Sequence, residues 1–140
     1  MTPEDIAARL PQLADGPHDD DTTIALAQIT AEAIRVLNHA TRDTSATSDP
    51  ATVNAVLGQL AAAAHRLPQL CGQLSGWLRQ ENTAGRLAHS DTSGLDDAID
   101  GTLASLDRAA GHATHLAEAL NRAQQATAWL YTPGEGGEDR

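Results

Sequence analysis

The sequence predicts an all-α fold, an antiparallel three-helix bundle built on a long helical hairpin with a short extra N-terminal helix. Aromatic residues make up 2% of the 140 residues and Phe is absent, so the core must consist of Leu and Ala, which suits helix packing better than β-sheet. Two coiled-coil-like runs of apolar or small residues, spaced three and four apart, predict the two helices of the hairpin. The runs are Val53, Leu57, Leu60, Ala64, Leu67, Cys71, Leu74 and Leu78, then Leu95, Ile99, Thr102, Leu106, Ala109, Ala113, Leu116, Leu120, Ala123, Thr127 and Leu130.

The first 21 residues predict a short helix followed by an acidic linker. Gly16-Pro17 ends this helix, because neither residue favours its continuation. A second helix is expected from an N-cap at Asp21 or Thr22 to about Asp43. It is apolar over more than half of its circumference, which predicts contacts with two neighbouring helices.

The third helix carries a proline in its interior. It begins at Asp49-Pro50, an N-cap and a first helical residue, and is expected to run to about Leu87. Pro68 removes one backbone hydrogen bond, yet the apolar spacing keeps the same phase on both sides of it. We therefore expect the helix to bend at Pro68 and not to stop there.

The fourth helix follows a polar turn at His89–Gly94. Ser93 and Asp96 have the spacing of a capping pair for its first turn. The helix is expected to end at Tyr131, because Pro133 and its neighbours cannot continue it.

These elements divide the chain into three parts. They are a short N-terminal helix with its acidic linker (1–21), a helical bundle (22–131) and a disordered tail (132–140). At the end of the bundle, Trp129 and Tyr131 are expected to close its base near Val53 and Ala40.

The helix lengths predict that part of the hairpin is uncovered. At about 1.5 Å per residue the hairpin helices are roughly 55 Å long and the second helix roughly 33 Å, so the second helix covers only the lower half. An apolar groove in the upper half is expected to bind a partner protein or a second copy, with a homodimer as the expected form and Trp77 as the anchor. The candidate partner-binding residues are Leu70, Leu74, Trp77, Leu78, Leu95, Ile99, Leu103 and Leu106.

The formal net charge of −10 is concentrated at the two ends of the chain. The helical body is nearly balanced in charge and has no basic patch to bind phosphates, which argues against nucleic acid as a partner. The chain shows no secretory signal and no apolar stretch of membrane-spanning length, so the sequence predicts a cytoplasmic protein without membrane contact. All nine basic residues are Arg, which is typical of a GC-rich, for example actinobacterial, genome.

A ligand- or metal-binding bundle is an alternative function. His112, His115 and Glu118 lie three residues apart, a spacing that occurs among the ligands of helical metal sites. Only His112 borders the apolar stripe, so few ligands converge, and we expect no cofactor. Cys71 has no His at helical spacing, and no other nucleophile–base arrangement is present, so we do not expect an enzyme.

A further alternative comes from the end of the last helix. Tyr131-Thr132-Pro133-Gly134-Glu135 resembles the Tyr-x-x-x-Asp/Glu export signal that follows a helical hairpin in small type VII secretion substrates. The resemblance implies a secreted partner protein. In that family a Trp-x-Gly turn joins the helices, whereas the turn here is His89–Gly94 and Trp77 lies in mid-helix, so we do not assign the chain to the family.

Overall fold

A computed structural model of the chain describes residues 3–16, 18–43, 47 and 49–134. Within these ranges the backbone forms four α-helices and no β-strand, which confirms the predicted all-α fold. The helices are α1 (Pro3–Ala14), α2 (Asp20–Ala40), α3 (Pro50–Thr83) and α4 (Leu95–Thr127). They belong to two compact units, Met1–Ala46 with α1 and α2, and Thr47–Arg140 with α3 and α4.

The first unit contains the predicted short N-terminal helix α1 and the longer helix α2. The N-cap of α2 is Asp19, whose Oδ1 accepts a hydrogen bond from the Thr22 N–H at 2.7 Å, so the predicted cap at Asp21 or Thr22 is wrong. With the earlier cap, Asp20 and Asp21 lie in the first turn, where the helix dipole favours negative charge. The helix ends at Ala40 and has no buried residue.

The start of α3 agrees with the prediction. Asp49 is the N-cap, and its Oδ1 accepts a hydrogen bond from the Thr52 N–H at 2.9 Å. Pro50 is the first helical residue, where the missing N–H costs no intrahelical bond. The helix continues through Pro68 to Thr83, so the expectation that Pro68 does not end it is confirmed.

The end of α3 comes before the predicted Leu87, because Gly85 terminates the helix. The backbone of Gly85 has a φ of +70°, a left-handed conformation that glycine adopts without steric cost. Its N–H donates to the Asn82 carbonyl at 3.0 Å, and the Arg86 N–H donates to the Glu81 carbonyl at 3.0 Å. This pair of bonds is a Schellman motif, which satisfies carbonyls of the last turn.

The start of α4 differs from the prediction. Leu95 is its first residue and Gly94 its N-cap, with no side-chain capping bond, so the predicted pair of Ser93 and Asp96 is wrong. Ser93 is engaged elsewhere, because the Asp91 carboxylate accepts hydrogen bonds from its N–H at 3.3 Å and its Oγ at 3.1 Å. The first turn of α4 therefore has no side-chain N-cap, but it contains Asp96 and Asp97, whose negative charge the helix dipole favours there.

The end of α4 is at Thr127, one turn before the predicted Tyr131. Trp129 and Tyr131 lie beyond the helix and are 86% and 81% exposed. The expectation that they close the base of the bundle is therefore wrong, because the earlier helix end takes them off the helical stripe. Of the predicted disordered tail, residues 135–140 lie outside the described residues.

The two long helices pack antiparallel along a seam of mostly small side chains. Near the start of α3, Asn54 donates from Nδ2 to the Gln124 carbonyl at 2.7 Å and to the Thr127 Oγ1 at 2.9 Å, both near the end of α4. The buried side chains of the described residues are Ala61, Ala64, Ser75, Ile99, Ala113 and Ala117. Small side chains at the contact allow the helix axes to approach closely.

The seam differs from the predicted one at alternate positions. Val53, Leu67, Leu74 and Leu116 were expected inside but are exposed. The residues that follow them, Asn54, Pro68, Ser75 and Ala117, are buried or half-buried instead. Leu57, Ala64, Cys71 and Leu78 of the predicted stripe stay buried or half-buried, so the contact is shifted around α3 by less than one full position.

The predicted long helical hairpin with a short N-terminal helix is confirmed. The covering of the hairpin by α2 and α1, and the domain boundaries at residues 21 and 131, stay predictions. In the described part of the chain, no helix combines the length and apolar character needed to cross a membrane.

Candidate functional site

Large apolar side chains line the outside of the hairpin. We call these residues the leucine face: Val53, Leu67, Leu70, Leu74 and Trp77 of α3, and Leu116 of α4. All of them are exposed, and Trp77 is the most exposed at 56%. Several large hydrophobic groups of α3 are therefore exposed, whereas Ala61 and Ala64 are among the most buried residues of its contact with α4.

The geometry of the seam places these residues on one side of the hairpin. Leu67 and Leu74 each precede a seam residue of α3 by one position, and Leu116 precedes the seam residue Ala117 of α4 in the same way. In an antiparallel helix pair, equivalent flanking positions of the two helices meet on the same side. Leu70 and Trp77 lie three residues after Leu67 and Leu74, so they extend the same surface outward.

The α4 half of this surface is made of small residues. An open depression beside Leu106 is lined by Asp97, Ala98, Gly101, Thr102, Ser105 and Ala109. Thr102 and Ala109 were expected in the seam, but both are exposed. The leucine face therefore consists of a ridge of large side chains on α3 and a trough of small ones on α4.

Charge is distributed unevenly around the hairpin. The acidic residues Asp97, Asp100, Asp107 and Glu118 of α4 are exposed, and Asp97 lines the depression on the leucine face. The exposed basic residues Arg66, Arg108 and Arg122 lie at the outer edges of the helix pair. On the leucine-face side of α3, Arg86 binds Glu81 through Nε–Oε2 at 2.6 Å and Nη2–Oε1 at 2.8 Å.

Three of the eight predicted partner-binding residues belong to the leucine face. Leu70, Leu74 and Trp77 are exposed on the same side of α3. The other five pack between the helices: Ile99 is 8% exposed, and Leu78, Leu95, Leu103 and Leu106 are half-buried. The structure adds Val53, Leu67 and Leu116, which the sequence reasoning placed in the seam. The sequence held one signal for this arrangement. Gly58, Ala61 and Ala64 are small residues spaced three apart, and they mark the side of α3 that contacts α4.

The alternative metal site is not assembled as three ligands around one point. His112, His115 and Glu118 are all exposed on α4. Among the described residues, no group of three or more His, Cys, Asp or Glu side chains is placed to hold a metal ion. Ligand binding by this part of α4 stays a prediction.

A small cleft lies between α3 and α4 on the side opposite the leucine face. It has a volume of about 220 Å³, and it is lined by Pro68, Cys71, Gly72, Ser75, Arg79, Leu103, Leu106, Asp107 and Ala110. Gly72 and Ser75 leave the space, since neither side chain fills the gap between the helices. The cleft is smaller than the roughly 300–1,000 Å³ typical of ligand pockets.

Comparison of the chain with protein-family models, curated proteins and solved structures finds no match. A function for this chain is therefore argued from its own geometry. The feature of the described residues with the largest consequence for binding is the leucine face, since contiguous exposed apolar surface marks interaction sites.

Proposed function

We propose that the protein is a non-catalytic helical-bundle module that works by binding a protein, either a partner or a second copy of itself, through the leucine face. The observation that carries the proposal is a row of large, exposed apolar side chains on one side of α3, Leu70, Leu74 and Trp77. These residues lie beside a seam whose most buried α3 members are Ala61 and Ala64.

The energetics favour a partner for this surface. Removing apolar surface from water is favourable by about 25 cal/mol per Å², and burying a Leu side chain contributes about 1.5–3 kcal/mol. Trp is enriched among residues that dominate binding energy, and Trp77 lies at the upper end of the row. Scattered exposed leucines need no explanation, but an aligned row of them on one side of a helix pair does.

The ligand-binding alternative has less support. The cleft beside Cys71 and Ser75 is small, and His112 and His115 are exposed on a helix surface. A ligand site needs several polar groups that converge in a pocket. The leucine face needs only a second apolar surface to bind. Protein binding is therefore better supported than ligand binding for this hairpin.

The proposal is tested by photo-crosslinking in the cells that make the protein. A photoreactive amino acid replaces Leu74 on the leucine face or, as a matched control, the exposed Gln69 on another side of α3. We expect a discrete protein adduct from position 74 and none from position 69. Equal adduct patterns at both positions, or no adduct at either, would overturn the proposal.

A further inference from the structure

Ser75 holds a hydroxyl group between α3 and α4 that has no hydrogen-bond partner. The residue is 6% exposed and lines the cleft between the two helices. Among the described residues no hydrogen bond involves this hydroxyl, and every fully enclosed side-chain nitrogen or oxygen there has a partner, so the Ser75 oxygen must be open to the cleft. A nearly buried polar group without a partner costs free energy, and a bound molecule that makes the missing hydrogen bond removes that cost.

Two residues of opposite charge line the same cleft without binding each other. Arg79 comes from α3 and Asp107 from α4. No salt bridge within the described residues includes either of them. The cleft therefore offers one positive group, one negative group and one neutral hydroxyl to an incoming molecule.

The register of the hairpin brings these three polar groups to one end of the cleft. The hydrogen bond between Asn54 and Thr127 sets those two residues at the same level. Counting along both helices from that bond at about 1.5 Å per residue, Asp107 is about level with Ser75. Arg79 lies one helical turn, about 6 Å, further along α3.

The rest of the cleft is mostly apolar and limits the size of a ligand. Pro68, Leu103, Leu106 and Ala110 form its apolar walls. Its volume is about 220 Å³, and a cavity of about 150 Å³ is large enough to hold one benzene ring. A molecule of roughly six to ten non-hydrogen atoms therefore fits, whereas a drug-sized ligand does not.

We propose that the cleft binds a small zwitterion, an α-amino acid with a short apolar side chain. Its carboxylate accepts hydrogen bonds from Arg79 and Ser75, and its ammonium group donates to Asp107. Its side chain packs on Leu106 and Ala110. A carboxylic acid without the amine leaves Asp107 unpaired, and an amine without the carboxylate leaves Arg79 and Ser75 unpaired. The cleft lies on the side opposite the leucine face, so this site goes beyond the proposed function and does not depend on it.

The proposal is tested by NMR titration of the purified full chain. The probes are L-alanine, L-valine and L-leucine, with isocaproate and isoamylamine as the two analogues of leucine that lack one charged group. We expect saturable shifts of the Cys71 and Ala110 amides with at least one amino acid, and at least about fivefold weaker binding of both analogues. L-Tryptophan is too large for the cleft and should not shift these amides.

Two variants of α3 connect the shifts with the cleft. Gly72 lines the cleft, and a Cβ added there meets no atom within 4 Å, so Gly72→Leu is able to fill the space. Gln73→Leu adds the same side chain on another side of the helix, at an exposed position that does not line the cleft. We expect binding to weaken by at least about tenfold in Gly72→Leu and to change within about twofold in Gln73→Leu. Circular dichroism checks that both variants fold.

Ser75→Ala tests the same site without adding volume. It removes an unpaired hydroxyl, so the folded chain loses no hydrogen bond and should unfold at the same temperature or higher. Amino-acid binding should weaken by about two- to tenfold, the worth of one net hydrogen bond. Unchanged binding in Ser75→Ala would contradict the assigned role of the hydroxyl, and this variant also serves should Gly72→Leu fail to fold.

Cys71 provides a second measurement, because it is the single cysteine of the chain and lines the cleft. An amino acid bound in the cleft covers the thiol, so alkylation by iodoacetamide should slow by at least about threefold at saturation. The same concentration of L-tryptophan should leave the rate unchanged. Equal rates with and without the bound amino acid would contradict the proposed position.

Three results of the titrations would overturn the proposal. They are the absence of saturable shifts with all three amino acids, equal binding of leucine and its two analogues, and equal effects of Gly72→Leu and Gln73→Leu. None of them changes the crosslinking expected at position 74, so failure of this site is distinguished from failure of the protein-binding function.

Discussion

The seam and the leucine face are two sides of the same pair of helices, and they differ in how far their side chains are buried. In most domains both alanine and the large aliphatic residues are frequently buried. Here Ala64 and Ala117 are among the most buried residues, whereas Leu70 and Leu74 are half exposed to water. The contrast indicates that the hairpin contact leaves some of its large apolar groups available for another surface.

The energetic consequence follows from buried area. The seam holds alanines, which bury little more than one methyl group each, together with Ile99 and half-buried leucines such as Leu78 and Leu103. Each buried CH₂ contributes about 0.8 kcal/mol. Leu70 and Leu74 are half exposed and still have apolar area to bury against a partner, which is why we place binding there.

Enlarging a buried seam residue should cause the largest loss of stability. Ala117 is 2% exposed, so in Ala117→Leu the added methyl groups must push the helices apart. We expect a loss of about 1–3 kcal/mol in the free energy of unfolding, measured by urea denaturation. Ala104→Leu, at an exposed position of the same helix, is the control and should change stability by less than about 0.5 kcal/mol. Equal losses for the two variants would mean that the seam is not closely packed.

The polar end of the seam gives the next largest effect. Asn54 makes two hydrogen bonds from one amide group, to the Gln124 carbonyl and the Thr127 hydroxyl. Each net hydrogen bond contributes about 0.5–1.5 kcal/mol, so Asn54→Ala should lower the free energy of unfolding by about 1–2 kcal/mol. Thr127→Val removes only the second bond and should cost roughly half as much. If Asn54→Ala leaves thermal denaturation unchanged, these bonds do not fix the register.

The helices were predicted well because the sequence patterns that indicate a helix are local. Asp49-Pro50 is an N-cap followed by a first helical residue, and the spacing of three and four requires only the geometry of one helix. The end of α3 was misjudged because Leu87 still fits an apolar pattern, whereas the left-handed backbone of Gly85 ends the helix. Glycine at such a position was the available signal.

The site was predicted only in part because the rotation of a helix about its own axis is a tertiary property. Apolar residues fill a broad stripe on α3, and Leu74 and Ser75 both lie at its edges. Which edge meets α4 depends on how closely the backbones approach, and that depends on the residues of both helices together. The sequence therefore indicated Leu70, Leu74 and Trp77 as binding candidates but placed Leu67 and Leu116 inside.

Two glycines sharpen the comparison by separating backbone effects from packing. A Cβ added at Gly76 meets no atom within 4 Å, and the residue lies within α3, so Gly76→Ala should raise stability by about 0.5–1 kcal/mol. Gly85 is equally open but has a φ of +70°, and Gly85→Ala should lower stability by about 1 kcal/mol. Opposite signs in thermal denaturation are the expected result. A loss for Gly76→Ala would show that the outer side of α3 is packed against something.

The smallest expected effect concerns Glu81, a carboxylate on the leucine-face side that is paired with Arg86. The hydrogen bonds from Arg86 lower the pKa of Glu81 below its ordinary value of 4.5, so NMR titration should find it there, and Arg86→Gln should return the pKa towards 4.5. Because the folded pKa is lowered, the stabilisation from this pair is present above pH 4.5 and is lost as the pH falls through the folded pKa. Glu81→Gln should therefore lose less stability than the wild-type chain between pH 5 and pH 3. Identical pH dependence in the two chains would mean that Glu81 is not held by Arg86.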